Sequence, residues 1–167
     1  FGACNHKCTF CGVDYMLERP DKPKLEFELL CDVISNMAEH GVLSIMFAGA
    51  GEPLLYKRLA DLILHADACG IDTSITTNGV FLNEAFCRKV FAAKRLRWIK
   101  VSINGGDAPT YERIHQAKPG DFETVMKNLA KAVEIRKELG QGPTLGGQLV
   151  ALPEITRSDP KRPLIKQ

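Results

Sequence analysis

Cys4, Cys8 and Cys11 form a Cys-x3-Cys-x2-Cys run, three thiols within eight residues and no fourth cysteine nearby. Thiolate is a soft donor that suits iron–sulfur clusters and zinc. Three thiolates hold three irons of a [4Fe–4S] cube and leave the fourth iron open, and an open position can bind a substrate as well as pass an electron. Two other chemistries use closely spaced thiols. A structural zinc site calls for a fourth ligand, and His6 lies too near in sequence to serve easily alongside all three thiols. A disulfide framework requires an oxidising compartment. Cys31, Cys69 and Cys87 are scattered through stretches of helical pattern and read as small buried apolar residues. His6 reads as an exposed loop imidazole.

The elements that must carry this run alternate between two periods. Leu25, Leu29, Val33 and Met37 recur at helical spacing over 25–40, and Gly41 stops the helix. The apolar run 42–48 is a buried strand, and Gly49-Ala50-Gly51-Glu52-Pro53 leaves it as a loop. A helix over 57–68 ends at Gly70, a strand over 73–76 ends in the turn Asn78-Gly79, and Asn83 caps a helix over 84–94. A strand over 98–103 runs into Asn104-Gly105-Gly106, followed by a short helix over 109–115. Asp121 caps a helix over 122–139, and a last strand covers 145–152 before Pro153-Glu154. Such alternation predicts βαβ units around a parallel sheet. In parallel α/β folds ligands gather at the carboxyl ends of the strands. The cysteine run, the Gly49–Pro53 loop, Thr76-Thr77-Asn78 and Asn104-Gly105-Gly106 would therefore meet on one face.

The chain has 167 residues, 45% hydrophobic and 25% charged, enough for one domain with a sizeable core. A net charge of +2 with both signs interspersed gives no reason to expect nucleic acid or an anionic membrane surface as partner. No apolar run approaches the length of a membrane span. The sequence opens at Phe1 rather than methionine, three residues before the first of the clustered cysteines, and reads as a fragment.

The cysteine run, with the aromatic Phe10 directly before its third cysteine, resembles the cluster motif of the radical S-adenosylmethionine (radical SAM) enzymes. Gly49-Ala50-Gly51-Glu52-Pro53 resembles that family's Gly-Gly-Glu-Pro type loop, with Ala50-Gly51 where the family pairs two glycines. The resemblance implies that Gly51 and Glu52 meet the amino group of the cofactor's methionine moiety. Val101-Ser102-Ile103-Asn104-Gly105 resembles the family's Ser-Leu-Asp-Gly segment, which places Ser102 near the ribose or the methionine carboxylate. Asn104 stands where aspartate is common and keeps hydrogen bonding without the charge. By the same resemblance Val150 or Leu152, beside Gln148, would hold adenine. Arg113 and His115 fit a solvated helix face as well as a cofactor contact, and no role is assigned to them.

The resemblance spans residues 1 to about 155, with 156–167 left as a surface tail. It implies an α/β fold, a partial (β/α) TIM-like barrel of the radical SAM type, incomplete at both ends, with four full strands and a stump of an earlier one at 1–3. It implies metal ligands Cys4, Cys8 and Cys11, and a [4Fe–4S] cluster and S-adenosylmethionine as cofactors. Reductive cleavage would give a 5′-deoxyadenosyl radical that takes hydrogen from a substrate such as a peptide, a sugar or a cofactor precursor. It also implies an electron donor such as flavodoxin or ferredoxin and a cytoplasmic location. The missing barrel parts would leave an open sheet edge and exposed apolar surface, so the piece alone is expected to be poorly stable or inactive. The alternatives are an activase that installs a glycyl radical on a partner protein, a non-catalytic iron–sulfur or zinc-binding module, and an inactive truncated fragment.

Overall fold

The computed structural model describes residues 2–13, 15–18 and 25–150. The elements in chain order are α1 (Tyr15–Glu18), α2 (Phe27–Glu39), β1 (Ser44–Phe47), a 3-10 turn (Pro53–Leu55), α3 (Leu59–Ala68), β2 (Asp72–Thr77), α4 (Glu84–Val90), β3 (Leu96–Ser102), α5 (Ala108–His115), α6 (Asp121–Leu139) and β4 (Thr144–Gln148). The four strands form one sheet in the order β1-β2-β3-β4, and every neighbouring pair is parallel. This is the α/β architecture expected from the alternating periods. The expected stump at 1–3 is not a strand at Gly2 and Ala3, and Phe1 lies outside the described residues.

The register divides the sheet into two faces. Phe47 pairs with Ile75, Ile75 with Ile99, Thr77 with Val101 and Ile99 with Leu145, so these side chains share one face. They pack with Leu59, Ile63, Phe91, Tyr111, Val125 and Ile135 into the main core beneath the helices. The opposite face carries Met46, Thr76, Lys100, Ser102 and Gln148, none of them buried. The helices make a layer in chain order, α2 against α3, α3 against α4, and α4 and α5 against α6.

Five details depart from the sequence expectations. The run 42–48 is not a buried strand: β1 covers only Ser44–Phe47, with Ser44 and Met46 exposed and Ile45 and Phe47 partly covered. The row Leu25, Leu29, Val33 and Met37 is not the buried side of α2: Leu29 is 52% and Met37 38% exposed, while Ile34 is buried at 4%. Two apolar rows lie side by side on this helix, and α3, with Ile45 and Phe47 of β1, takes the one containing Leu30, Ile34 and Ala38. The other row flanks the open edge at β1, where Met46 is also exposed. The last strand ends at Gln148 instead of 152, because the amides of Ile103 and Asn104 both converge on the Gln148 carbonyl and the ladder stops there. Helix α4 ends at Val90, with Phe91 as its C-cap. Asp121 is the first helical residue of α6 and not its cap; Gly120, at φ 89°, precedes it. Asn83 does cap α4, accepting from the Phe86 amide. Leu152, Pro153-Glu154 and the 156–167 tail lie outside the described residues, and among those described no helix is long and apolar enough to cross a membrane.

Gly105 shows how tightly the loop after β3 is closed. A Cβ there would lie 2.7 Å from the Tyr111 amide nitrogen and 2.8 Å from its Cα, so α5 folds back directly onto glycine backbone. Backbone cannot rotate out of the way as a side chain can. Gly105→Ala is therefore expected to cost about 3 kcal/mol, the upper end of ordinary overpacking. Denaturant unfolding checks this, with a lower midpoint at unchanged slope; an unmoved midpoint contradicts the packing.

Candidate functional site

The cysteine loop has no regular secondary structure of its own and is held by its neighbours' free backbone groups. The Lys7 amide donates to the His115 carbonyl at 3.1 Å and the Thr9 amide to the Ile114 carbonyl at 2.8 Å. Those carbonyls end α5 and have no partner within the helix, so the loop satisfies the helix terminus while being fixed by it. On its other side the Glu52 amide donates to the Ala3 carbonyl at 2.8 Å. The loop is thus pinned between the ends of β1 and α5, at the carboxyl edge of the sheet.

A cavity of about 220 Å³ opens at this edge, lined by Cys4, Cys8, Cys11, Phe10, Gly51, Glu52, Ser102 and Asn104. These eight residues, singled out from the sequence, therefore meet on one concave surface. Thr76, Thr77 and Asn78 line it too, as expected for the mouth of the sheet. Gln148 and Val150 do not line it, and Leu152 is not described. Arg113 is exposed and away from the cavity.

Glu52 is the best-supported polar group in the wall. Its Oε1 accepts from the Leu54 amide at 3.0 Å and the Thr77 hydroxyl at 2.5 Å, and its Oε2 accepts from the Asn78 amide at 2.8 Å. The residue is only 3% exposed. Burial raises its pKa, against the opposing pull of those three donors. All three donors are neutral. A buried carboxylate so arranged favours a cationic ligand arriving from the cavity. The Asn78 side chain also donates to Asn5 Oδ1 at 2.8 Å, tying the end of β2 to the cysteine loop. Asn104 adopts φ 49°, a left-handed conformation asparagine tolerates better than most residues, and its Oδ1 accepts from the Val150 amide at 2.9 Å.

One histidine corrects the sequence reading, and the other decides between two alternatives it left open. His6 is not an exposed imidazole: it is buried, and its Nε2 donates to Asp121 Oδ2 at 3.0 Å. His115 is buried at 1% and lines the cavity, so it does not sit on a solvated helix face. Its Nε2 lies 3.1 Å from the Ile103 carbonyl, which can only accept, so Nε2 carries the proton. The lone pair of Nδ1 then faces Cys8 Sγ at 3.2 Å. Burial lowers His115 to about 4 and raises Cys8 to about 12, the latter helped by the neighbouring cysteines. At neutral pH the pair is an imidazole accepting from a thiol. Tyr111 stacks on His115 with centroids 4.3 Å apart. Their i, i+4 spacing beside the apolar Ile114 was the available sign that His115 faces inward.

All six cysteines are free thiols. Cys87 is fully buried in the main core, while Cys31 and Cys69 are half-buried between α2 and α3 around His65. None of these three lines the cavity.

A parallel sheet whose carboxyl edge opens into one cavity lined by three thiols and a buried carboxylate defines an α/β protein with soft metal donors beside an anionic group. The Radical SAM superfamily model matches residues 1–162, and the chain belongs to that superfamily. It is 33% identical over 134 residues to a probable GTP 3',8-cyclase of Methanosarcina mazei, covering 78% of this chain and 39% of the relative. It is 38% identical over 120 residues to an S-adenosylmethionine-dependent nucleotide dehydratase of Lacinutrix mariniflava, covering 70% of this chain and 25% of the relative. The chain thus spans about two fifths or less of these relatives' lengths. The fold is similar to that of Streptococcus suis SuiB bound to S-adenosylmethionine, with a TM-score of 0.68 at 21% identity over 86% of this chain and 31% of SuiB. The observed sheet is a partial radical SAM fold. Family membership carries an iron–sulfur cluster and S-adenosylmethionine as the general cofactors. The donor set suits both: three free thiols for iron, and a buried carboxylate with neutral partners for an ammonium group.

Proposed function

We propose that residues 1 to about 155 are the cluster-binding core of a radical SAM enzyme, with Cys4, Cys8 and Cys11 holding three irons of a [4Fe–4S] cluster. The observation that carries this reading is the buried Glu52 carboxylate, met by neutral donors, on the same cavity wall as the three thiols. Cluster and S-adenosylmethionine together would supply one-electron chemistry, reductive carbon–sulfur cleavage yielding methionine and a 5′-deoxyadenosyl radical that takes hydrogen from an organic substrate. The chain's own residues bind, orient and shield. Glu52 and the Gly51 backbone receive the methionine ammonium. Ser102 and Asn104 hydrogen-bond the ribose or the carboxylate. Phe10, 39% exposed and packed edge-on against His115, offers an aromatic wall to the cofactor beside the thiols.

A ferredoxin would require a fourth thiolate. Cys31, Cys69 and Cys87 all lie in the helix layer off the cavity, which favours three-thiolate ligation. Six free thiols favour a reducing compartment such as the cytoplasm, and an external donor such as flavodoxin or ferredoxin would deliver the electron. Electron paramagnetic resonance on anaerobically reconstituted, reduced protein tests the reading. The cluster signal is expected to change on adding S-adenosylmethionine, and an unchanged signal rejects it.

A further inference from the structure

Cys8 faces two sets of partners. One is the pair of thiols in its own loop. The other comes from α5 and the loop itself: one ligating atom from each of His6, Cys8 and His115 lies within 4.8 Å of the other two. A zinc ion at about 2.3 Å from sulfur and 2.0–2.1 Å from nitrogen sets tetrahedral edges of about 3.5 Å. The Cys8 Sγ to His115 Nδ1 separation of 3.2 Å is already close to that edge, and the others, within 4.8 Å, need to close by at most about 1.3 Å.

Both imidazoles are prepared as ligands. His115 gives its Nε2 proton to the Ile103 carbonyl, which leaves Nδ1 as the donor atom. His6 gives its Nε2 proton to Asp121, and its Nδ1 is buried without a hydrogen-bond partner among the described residues. Ligating histidines generally hold the other ring nitrogen on a carboxylate or backbone carbonyl in this manner. An orphaned nitrogen in a dry site has a cost that a metal would remove. The difficulty of placing His6 with all three thiols disappears, because the second imidazole comes from a residue 107 positions away from Cys8.

We propose that, when no cluster is installed, His6, Cys8 and His115 bind one borderline-soft divalent ion, zinc foremost, and that this occupancy excludes cluster assembly by taking Cys8. Binding converts the Cys8 thiol to a zinc-bound thiolate and releases its proton to solvent, with no redox change. The fourth position falls to water or to one further loop thiol. The exclusion rests on the proposed cluster role of Cys8, whereas the site itself does not.

The test uses cluster-free protein purified anaerobically and given one equivalent of zinc. X-ray absorption is expected to report two imidazole nitrogens and one or two sulfurs. Three or more sulfurs, or no tight zinc, overturns the site. Cobalt in place of zinc is expected to give the visible bands of a four-coordinate site with a thiolate ligand. These bands should survive Cys11→Ser and vanish in His115→Ala and Cys8→Ser; bands retained in His115→Ala overturn it. Asp121→Ala, which removes the support of His6 together with a bond accepted from the Lys118 amide, should weaken zinc binding about 10–100-fold. Pre-bound zinc should slow iron–sulfide reconstitution in the wild type, and equal rates with and without zinc overturn the exclusion. Failure to form any cluster in zinc-free wild type would instead count against the proposed function, leaving the zinc result standing.

Discussion

Cys8→Ala, reconstituted anaerobically with iron and sulfide, is expected to retain well under one iron per chain where the wild type takes up about four. Two thiolates cannot hold a cube whose remaining corners are open to solvent and chelators. With the cluster goes cleavage of S-adenosylmethionine, so methionine and 5′-deoxyadenosine should fall to background under reducing conditions. The variant itself should fold. Cys8 is a half-buried loop residue outside both core clusters, and the loop's bonds to α5 and to Glu52 are made by backbone groups of Ala3, Lys7 and Thr9. Cys4→Ala and Cys11→Ala should behave alike. Cys31→Ala, set between α2 and α3 and off the cavity, should keep its iron and serves as the control. Cofactor cleavage persisting in Cys8→Ala would refute the assigned ligation.

What the sequence made legible follows from the range over which each signal acts. The strands and helices were readable because apolar period is a local property: the runs around Ile75, Ile99 and Val101 are bounded by turns such as Asn78-Gly79 within a few residues. The cysteine run and the Gly51-Glu52 loop were readable because their chemistry is compressed into short stretches. The Gly51-Glu52 loop reaches the cavity because it leaves the carboxyl edge of a parallel sheet, whereas the cysteine run, which follows no strand among the described residues, is brought there by its backbone bonds to α5 and Glu52. The contacts of the two histidines were not readable, although the spacing of Tyr111 and His115 hinted that His115 faces inward. His6 is explained by Asp121 and Cys8 by His115, partners more than a hundred positions apart, and no local pattern announces such a contact. Asp121 illustrates the same failure from the other side. An aspartate opening a helical stretch looks like a cap, yet its carboxylate is drawn to a buried imidazole. On α2 two adjacent apolar rows competed, and only packing against α3 and the end of β1 decided between them.

Glu52→Gln separates what this residue does for the fold from what it does for a ligand. The substitution keeps shape and leaves Oε1 to accept from Leu54 and Thr77, while an amide group now opposes the Asn78 N–H that Oε2 received. One lost bond costs about 1–3 kcal/mol. Against it, the buried charge is gone, and burial is the dominant influence on the Glu52 carboxyl. The two changes oppose each other, so the unfolding midpoint near neutral pH should move little. Glu52→Ala leaves three buried donors unpaired and should lose clearly more stability. The pH dependence has a definite sign. A carboxyl with a raised folded pKa contributes most to stability when protonated and loses that contribution as pH rises from the ordinary value of 4.5 through the folded value. The wild type should therefore weaken relative to Glu52→Gln across that rise, as denaturant unfolding at a series of pH values would measure. Ligand binding should respond differently. A hydrogen bond from an ammonium group to a carboxylate contributes about 1.5–3 kcal/mol, so Glu52→Gln should bind S-adenosylmethionine roughly 10–100-fold more weakly at neutral pH by calorimetry on cluster-loaded protein. Unchanged affinity with unchanged stability would remove Glu52 from the ammonium site and leave it as a brace between the ends of β1 and β2.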